Sequence, residues 1–556
     1  MYESTVPNIN IDQDGTLGGL LRERARRRPE QMFLTIEGRS YTFAEMDARS
    51  DELAQGLRAL GVKAGDRIAW LSTNRGEIIE LFFAVAKLGA VQVPLNAFLK
   101  GALLSYQIND AQASVVVADG PGMECIDAVA HDLPEVQRFV RLDADAPAPA
   151  SIPGGKLMDF SGVTGSPSDE VGEGVLPTDI FAIMYTSGTT GASKGCVLNH
   201  GYHIRDALAF GQSIGLSPDD TLYATLPLFH MAAIVSTLVS ALVWEIHAVI
   251  DAQFSAGAFF SRAREVDATI SIAVAAMANA LLTTPASDGD RDHNLRAMTI
   301  VPLTPEAQLA FEERFGVAAW SEMYGQTECI PISTSPRLGE RDRAGAGAPA
   351  DDLEVALFGE DDRPVADGEV GEIVLRPKSK FAMFQGYWNM PEATLEAFRG
   401  LWYHTGDLAR MLPSGQIAFV DRKKDAMRRR GENISSMEVE AVIARHEAVA
   451  DVAVHAVPSP MGEDDVKACL VLKPGATLTP EGLFDFFTVE MPFYMVPRYV
   501  ELIDELPRTA VGRVQKFILR ERAVGDGVWD FEALGFKVTS DQRRGVGTRS
   551  TTVPTA

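Results

Sequence analysis

Residues 185–195 read YTSGTTGASKG, with three glycines, one lysine and a row of hydroxyls in eleven residues. Glycines let successive backbone N–H groups converge on an anion, hydroxyls add donors and lysine adds charge, which is the composition of a loop that holds phosphate. The stretch is not a P-loop of the form G-x-x-x-x-G-K-[ST]. With Gly188 as the first glycine, Ser193 falls where the second must be and Gly195 where the magnesium hydroxyl must be. Most Ser/Thr/Gly loops are plain surface turns, so the reading depends on what accompanies this one.

Four other segments accompany it. Met323–Glu328, MYGQTE, offers a stacking face (Tyr324), a close backbone approach (Gly325), two polar contacts (Gln326, Thr327) and a metal-seeking carboxylate (Glu328). In YHTGDL at 403–408, Asp407 suits the vicinal hydroxyls of a ribose, although a lone aspartate more often caps its own turn. DRKKDAMRRRGENISSMEVE at 421–440 places Arg422, Lys423, Lys424, Arg428, Arg429 and Arg430 within nine residues of an acidic protein. A charge run is usually a solvated face. Here it leads into Gly431 and a helix start with Ser435 and Glu438 in capping-box spacing, which suits an anion better. PRTAVGRVQK at 507–516 puts Lys516 just after a turn at Val511-Gly512.

In this order and spacing the segments resemble the adenylate-forming enzymes: acyl-CoA synthetases, luciferases and the adenylation domains of peptide synthetases. The likeness runs from about Tyr41 to Lys537 and is strongest to bacterial acyl-CoA ligases similar to crotonobetaine/carnitine–CoA ligases. It implies two steps, a carboxylate attacking the α-phosphate of Mg-ATP to give acyl-AMP, and a thiol, that of coenzyme A, displacing AMP. ATP, Mg2+ and coenzyme A are the cofactors it implies.

By the resemblance, Thr186, Ser187, Gly188, Thr189, Thr190 and Gly191 with Lys194 cradle the β- and γ-phosphates. Val301 and Pro302 border the adenine, Tyr324 lies against it, Gly325 and Gln326 line the site, Thr327 meets the α-phosphate and Glu328 ligands magnesium. Asp407 and Arg422 bind the ribose, and Lys516 bridges the acyl carboxylate and the α-phosphate. Lys516, Glu328, Thr186 and His230 form the implied catalytic set. Lys424 is the implied hinge about which the small domain turns between half-reactions, after which Lys516 is withdrawn and Gly431, with Arg430, lines the thiol's tunnel. His230, in PLFHM, Ala275, Ala276 and Gly325 are the implied acid contacts.

The chain departs from the family pattern in three places. Thr299-Ile300-Val301-Pro302-Leu303 puts branched side chains at the expected adenine or acyl floor, Ala192 replaces a proline in the phosphate loop, and Trp244-Glu245-Ile246 replaces a small-residue turn. Residues 272–281, IAVAAMANAL, hold five alanines, and segments 230–236, 272–281 and 324–333 carry no lysine or arginine. The expected substrate is a bulky, mostly apolar monocarboxylic acid, terpenoid, steroidal or aryl-alkyl. Two competing readings share the ATP motifs. One is a free-standing adenylating enzyme serving an acyl carrier protein or partner enzyme. The other is a non-catalytic nucleotide-binding relative, against which Lys516, Glu328 and Asp407 count. The arginines at 428–430 favour the phosphates of coenzyme A.

Elements must position these groups, and the pattern supplies them. Helical stretches (50–60, 77–88) alternate with β-rich runs (67–71, 89–94, 115–118, 221–227, 248–252), which predicts an α/β fold with largely parallel sheets. Residues 141–176 read as a loop. LEVALF and EIVLRP, at 353–358 and 372–377, read as an antiparallel hairpin and suggest a small β-barrel-like subdomain. The expected organisation is an N-terminal domain over 1–421, a small mobile α+β domain over 424–530 carrying Lys516, and a disordered tail over 539–556. Length supports two or more domains: the chain has 556 residues, 46% apolar and 23% charged. The net charge of −25 excludes general nucleic-acid binding and adhesion to anionic membranes. Four scattered cysteines fit reduced thiols, the start of the chain is polar, and residues 231–250 read as a core helix and strand rather than a membrane span, so a cytoplasmic location is expected.

Overall fold

The computed structural model describes residues 6–146, 148–166, 172–186, 193–335, 341–359, 361–422, 426–459, 462–507, 514, 516–520, 522, 524–525 and 527–538. Two seven-stranded sheets dominate. One runs Ala318–Trp320, Ala297–Val301, Ile270–Val274, Thr221–Ala224, His247–Ile250, Met32–Ile36, Arg39–Thr42, and is parallel except for its last pair. The other ends on Val91–Leu95, Ile180–Thr186 and Lys194–Asn199, the final pair antiparallel. The helix Gly76–Leu88 is buried on nearly every face, as a helix sandwiched between layers must be. One core joins that helix to both sheets, and a second covers the far face of the sheet that ends on Lys194–Asn199.

The segments 221–227 and 248–252 are strands over Thr221–Ala224 and His247–Ile250, and residues 231–250 are a helical stretch followed by a strand, as expected. Residues 141–176 are less irregular than their composition implies. Leu157–Asp159 adds an edge strand beside Arg138–Arg141, too short for a hydrophobic pattern to register.

From residue 323 to Arg422 the strands pair antiparallel. A three-stranded sheet (Met323–Gln326, Cys329–Thr334, Ala348–Pro349) and a four-stranded sheet (Leu353–Phe358, Gly371–Pro377, Tyr403–Met411, Ile417–Arg422) make up the small barrel-like part. The smaller C-terminal domain has its own core, with Met427, Ile434, Val439, Leu483 and Phe487 packed inside. It consists of a hairpin (Ala426–Arg429, Glu432–Ser435), a four-stranded sheet and the helices Ser436–Ile443, Pro480–Glu490 and Lys516–Arg520. The tail at 539–556 and the hinge candidate Lys424 lie outside the described residues.

Candidate active site

The phosphate-loop segment leaves the strand Ile180–Thr186 and returns on Lys194–Asn199, with Thr186 paired to Lys194. Ser187, Gly188, Thr189, Thr190, Gly191 and Ala192 lie outside the described residues. Their two anchors do not. The Thr186 hydroxyl donates to the Lys194 carbonyl at 3.4 Å, and the Lys194 ammonium sits 4.7 Å from the centroid of the Tyr387 ring, a cation–π contact. Residues 385–388 lie alongside the returning strand, exchanging backbone bonds with Gly195 and Val197, which places Tyr387 at the foot of the loop.

Tyr387 then donates its hydroxyl to Glu328 Oε1 at 2.8 Å. Burial, then the Glu328 carboxylate, pushes the Tyr387 phenol far above its ordinary range, so it stays a donor at neutral pH. Cys196 is raised in the same way, by burial first and Glu328 second. Glu328 is 8% exposed. Among the described residues no group of three or more His, Cys, Asp or Glu could hold a metal. One hard carboxylate tied through Tyr387 to Lys194 fits magnesium, which takes one or two carboxylates and fills its other positions with phosphate oxygens and water.

Asp407 lies close by. Its Oδ2 accepts from the Tyr324 hydroxyl at 2.6 Å and from Gln326 Nε2 at 2.7 Å. Gln326 also accepts from the Tyr403 hydroxyl at 3.0 Å and donates to the Thr405 carbonyl at 2.9 Å, so MYGQTE and YHTGDL are locked into one surface. Strand register sets Arg422 opposite Asp407. Thr327 is held by its carbonyl, which accepts from Tyr202 at 2.9 Å. Gly325 is required sterically, since a Cβ there would come within 2.9 Å of Ile330.

Of the branched side chains at the expected floor, Ile300 is fully buried in the core and Val301 half-buried. Val301 pairs with Val274 across the sheet. In the alanine-rich run Ala273, Ala275 and Ala278 are buried, and Ala276 and Ala280 are half-buried.

The C-terminal domain meets this site through its hairpin. A Cβ on Gly431 would stand 3.4 Å from Val274 Cγ2. The next residue, Glu432, reaches His230 Nε2 at 3.0 Å and accepts from Asn96 Nδ2 at 3.1 Å. Phe98 packs edge-on against Phe493 with centroids 4.7 Å apart, and Glu438 accepts from Ser193, one residue before Lys194. Burial lifts Glu438 to about 7, the Ser193 hydrogen bond pulling it the other way. Lys516 is elsewhere in this arrangement, 2.6 Å from Ser436 Oγ and 2.7 Å from Glu440 Oε1 within its own domain. The arginines at 428–430 also divide. Arg429 is buried on Asp465 and the Val496 carbonyl, while Arg428 and Arg430 are 39% exposed.

Two family patterns match this chain, AMP-binding enzyme over residues 21–388 and AMP-binding enzyme C-terminal domain over 438–513; the first spans Thr186, Lys194, Glu328 and Tyr387, while Asp407, Gly431, Glu432 and Lys516 fall outside both. The chain belongs to the AMP-binding enzyme family. Among curated members it is 32% identical to a feruloyl-CoA synthase of Amycolatopsis, covering 91% of this chain and 99% of that one. It is 31% identical to a crotonobetaine/carnitine–CoA ligase of Salmonella typhimurium, covering 87% and 94%. An o-succinylbenzoate CoA synthetase variant from Bacillus subtilis, solved with a product analogue, superposes with a TM-score of 0.78 at 26% identity, covering 90% and 98%. Within this family member, sequence reasoning missed Tyr387 and Glu432. Tyr387 had a signal in its aromatic-glycine setting, FQGYWN, whereas Glu432 is one acid after a basic run.

Proposed function

We propose that this chain is an AMP-forming acid–thiol ligase, which activates a carboxylic acid with ATP and transfers the acyl group to coenzyme A. A carboxylate oxygen bonds to the α-phosphorus as the bond to the bridging oxygen of pyrophosphate breaks. The coenzyme A sulfur then bonds to the acyl carbon, its proton is lost and AMP leaves. The observation that carries the reading is the meeting, on one side of the large domain, of the phosphate-loop anchors, Glu328 and Asp407 with the C-terminal hairpin tip at Val274.

Positioning and charge stabilisation supply the catalysis. In the roles proposed here, Thr186–Gly191 and Lys194 hold the outer phosphates, Tyr324 stacks on adenine, Thr327 meets the α-phosphate, and Asp407 with Arg422 holds the ribose. Glu328 would hold magnesium, which when bound neutralises phosphate charge. Lys516 serves adenylation only. Its bonds to Ser436 and Glu440, with Gly431 against Val274, fit the arrangement for the thiol step. So does the likeness to a synthetase solved with a product analogue. In this arrangement Glu432 holds His230, drawing the imidazole towards the hairpin and off the acid.

The domains are proposed to span 1–421 and 424–530, with Lys424 as hinge. The acid is proposed to be bulky, mostly apolar and monocarboxylic, with an aryl-alkyl acid favoured by the feruloyl-CoA synthase likeness and by the half-exposed Ala276. Among the described residues no helix is long and apolar enough to cross a membrane. A cytoplasmic location is proposed on the four free, buried cysteines.

Replacing Lys516 tests the division of labour. Lys516→Ala should lower acid-dependent ATP–pyrophosphate exchange by roughly 100-fold or more, the size of one lost transition-state donor. Thioester formation from supplied acyl-AMP should stay within a few fold of wild type. Equal loss of both half-reactions would refute the assignment.

A further inference from the structure

Three consecutive acids, Glu463-Asp464-Asp465, each hold a different part of the hairpin that reaches the active site. Both carboxylate oxygens of Glu463 lie within hydrogen-bond reach of the Gly431 N–H, at 3.2 and 3.1 Å. Asp464 Oδ2 accepts from the Arg428 N–H at 2.9 Å. Asp465 pairs with the Arg429 guanidinium at 3.1 Å. The turn between the strands has both central residues left-handed, Arg430 at φ 56° and Gly431 at φ 81°, and a two-stranded hairpin alone is marginal in water. Something must fix its tip, and glycine offers only its backbone to be held.

We propose that Glu463 is a positioning residue for the thiol step. It accepts the Gly431 N–H from behind and so sets the distance between the hairpin tip and Val274 on the strand Ile270–Val274. The Glu463 side chain is only 5% exposed, so its carboxylate is fixed rather than free to swing. The residue before it, Gly462, sits against Asn279 on the helix Ala275–Thr283, where a Cβ would come within 2.6 Å of the Asn279 amide nitrogen. The acidic segment therefore touches the wall of the acid site while it holds the tip. This inference rests on the reading of Gly431 as lining the thiol's path.

Glu463→Ala and Glu463→Gln in the full chain test it, each assayed in both half-reactions. Glu463→Ala should lower thioester formation from supplied acyl-AMP and coenzyme A by roughly 10- to 100-fold, the scale of a misplaced reacting group. Pyrophosphate exchange should stay within about twofold. Glu463→Gln should recover most of the rate, because its amide oxygen accepts the same N–H. Amide hydrogen exchange over residues 426–435 should be faster in Glu463→Ala and near wild type in Glu463→Gln. Equal loss in both half-reactions, no loss in either, or no rescue by glutamine would overturn the proposal. If the wild-type chain itself forms no thioester, the coenzyme A reading fails, and the exchange of the hairpin amides decides whether Glu463 holds the tip.

Discussion

His200 and His203 stand on the helix His200–Ile214, fully buried, His200 tilted against the Phe181 ring and His203 edge-on to it. His200 accepts from the Leu17 N–H at 3.3 Å, and His203 Nδ1 lies 2.9 Å from the Asn199 carbonyl. Burial, helped by His203, pushes His200 down to about 3, and burial pushes His203 down to about 4. Unfolded, both rings titrate near their ordinary value of 6.5. Between those limits the unfolded chain binds more protons, so stability is full above about 6.5 and is lost as pH falls towards 4. Melting temperature measured from pH 7.5 to 4.5 should fall, and His200→Asn, although less stable at neutral pH, should show a shallower fall. An unchanged slope would contradict the assignment.

At this scale the sequence singled out residues whose chemistry dictates their type, among them Lys194, Lys516, Glu328 and Asp407, for the roles proposed above. It did not disclose Glu463, because an acid that holds another group leaves no spacing rule. Which of Ile300 and Val301 is the more buried was not legible for a different reason. Their strand is covered on both faces, so neighbouring branched residues carry no sign of it.

At the scale of elements, Lys87 is the sharpest case. Its side chain, on the helix Gly76–Leu88, is fully buried, and its ammonium meets Asp47 at 2.5 Å, Asp51 at 2.6 Å and the Asp47 carbonyl at 2.8 Å. These bonds tie it to the helix Phe43–Ala59, which packs alongside. Lys87→Met keeps the apolar stem and takes the ammonium from Asp47, while Asp51 keeps Arg22 at 2.8 Å, so it should cost roughly 3 kcal/mol, the range for breaking a buried pair. Urea denaturation followed by fluorescence measures this, and a loss below about 1 kcal/mol would contradict it.

The departure at Trp244-Glu245-Ile246 also resolves here. Glu245 ends its helix at φ 56°, and its carboxylate gathers Arg24 at 3.2 Å, Arg28 at 2.9 Å and Arg27. Trp244 fills space that only Gly211 leaves open, since a Cβ there would meet the indole at 2.1 Å. Alternation of helix and strand was legible because the parallel sheets repeat one local unit. Which helix lies between the layers was not, because a run such as EIIELFFAVAKL gives only its total apolarity.

At the scale of the whole molecule, the two domains meet through contacts far apart in sequence. Asn96 to Glu432, Phe98 to Phe493 and Ser193 to Glu438 span between 245 and 395 residues, distances over which no local pattern reports. The motifs announced the parts, and the contacts show which parts are engaged together. The central claim is that this one chain carries both half-reactions. Acid-dependent ATP–pyrophosphate exchange over a panel from acetate to bulky aryl-alkyl and polycyclic acids, with coenzyme A then added to each responder, tests it most directly. The expected result is exchange with a bulky apolar monocarboxylic acid and a coenzyme A thioester on addition. Exchange with no thioester, or exchange confined to acids of two to four carbons, would contradict it.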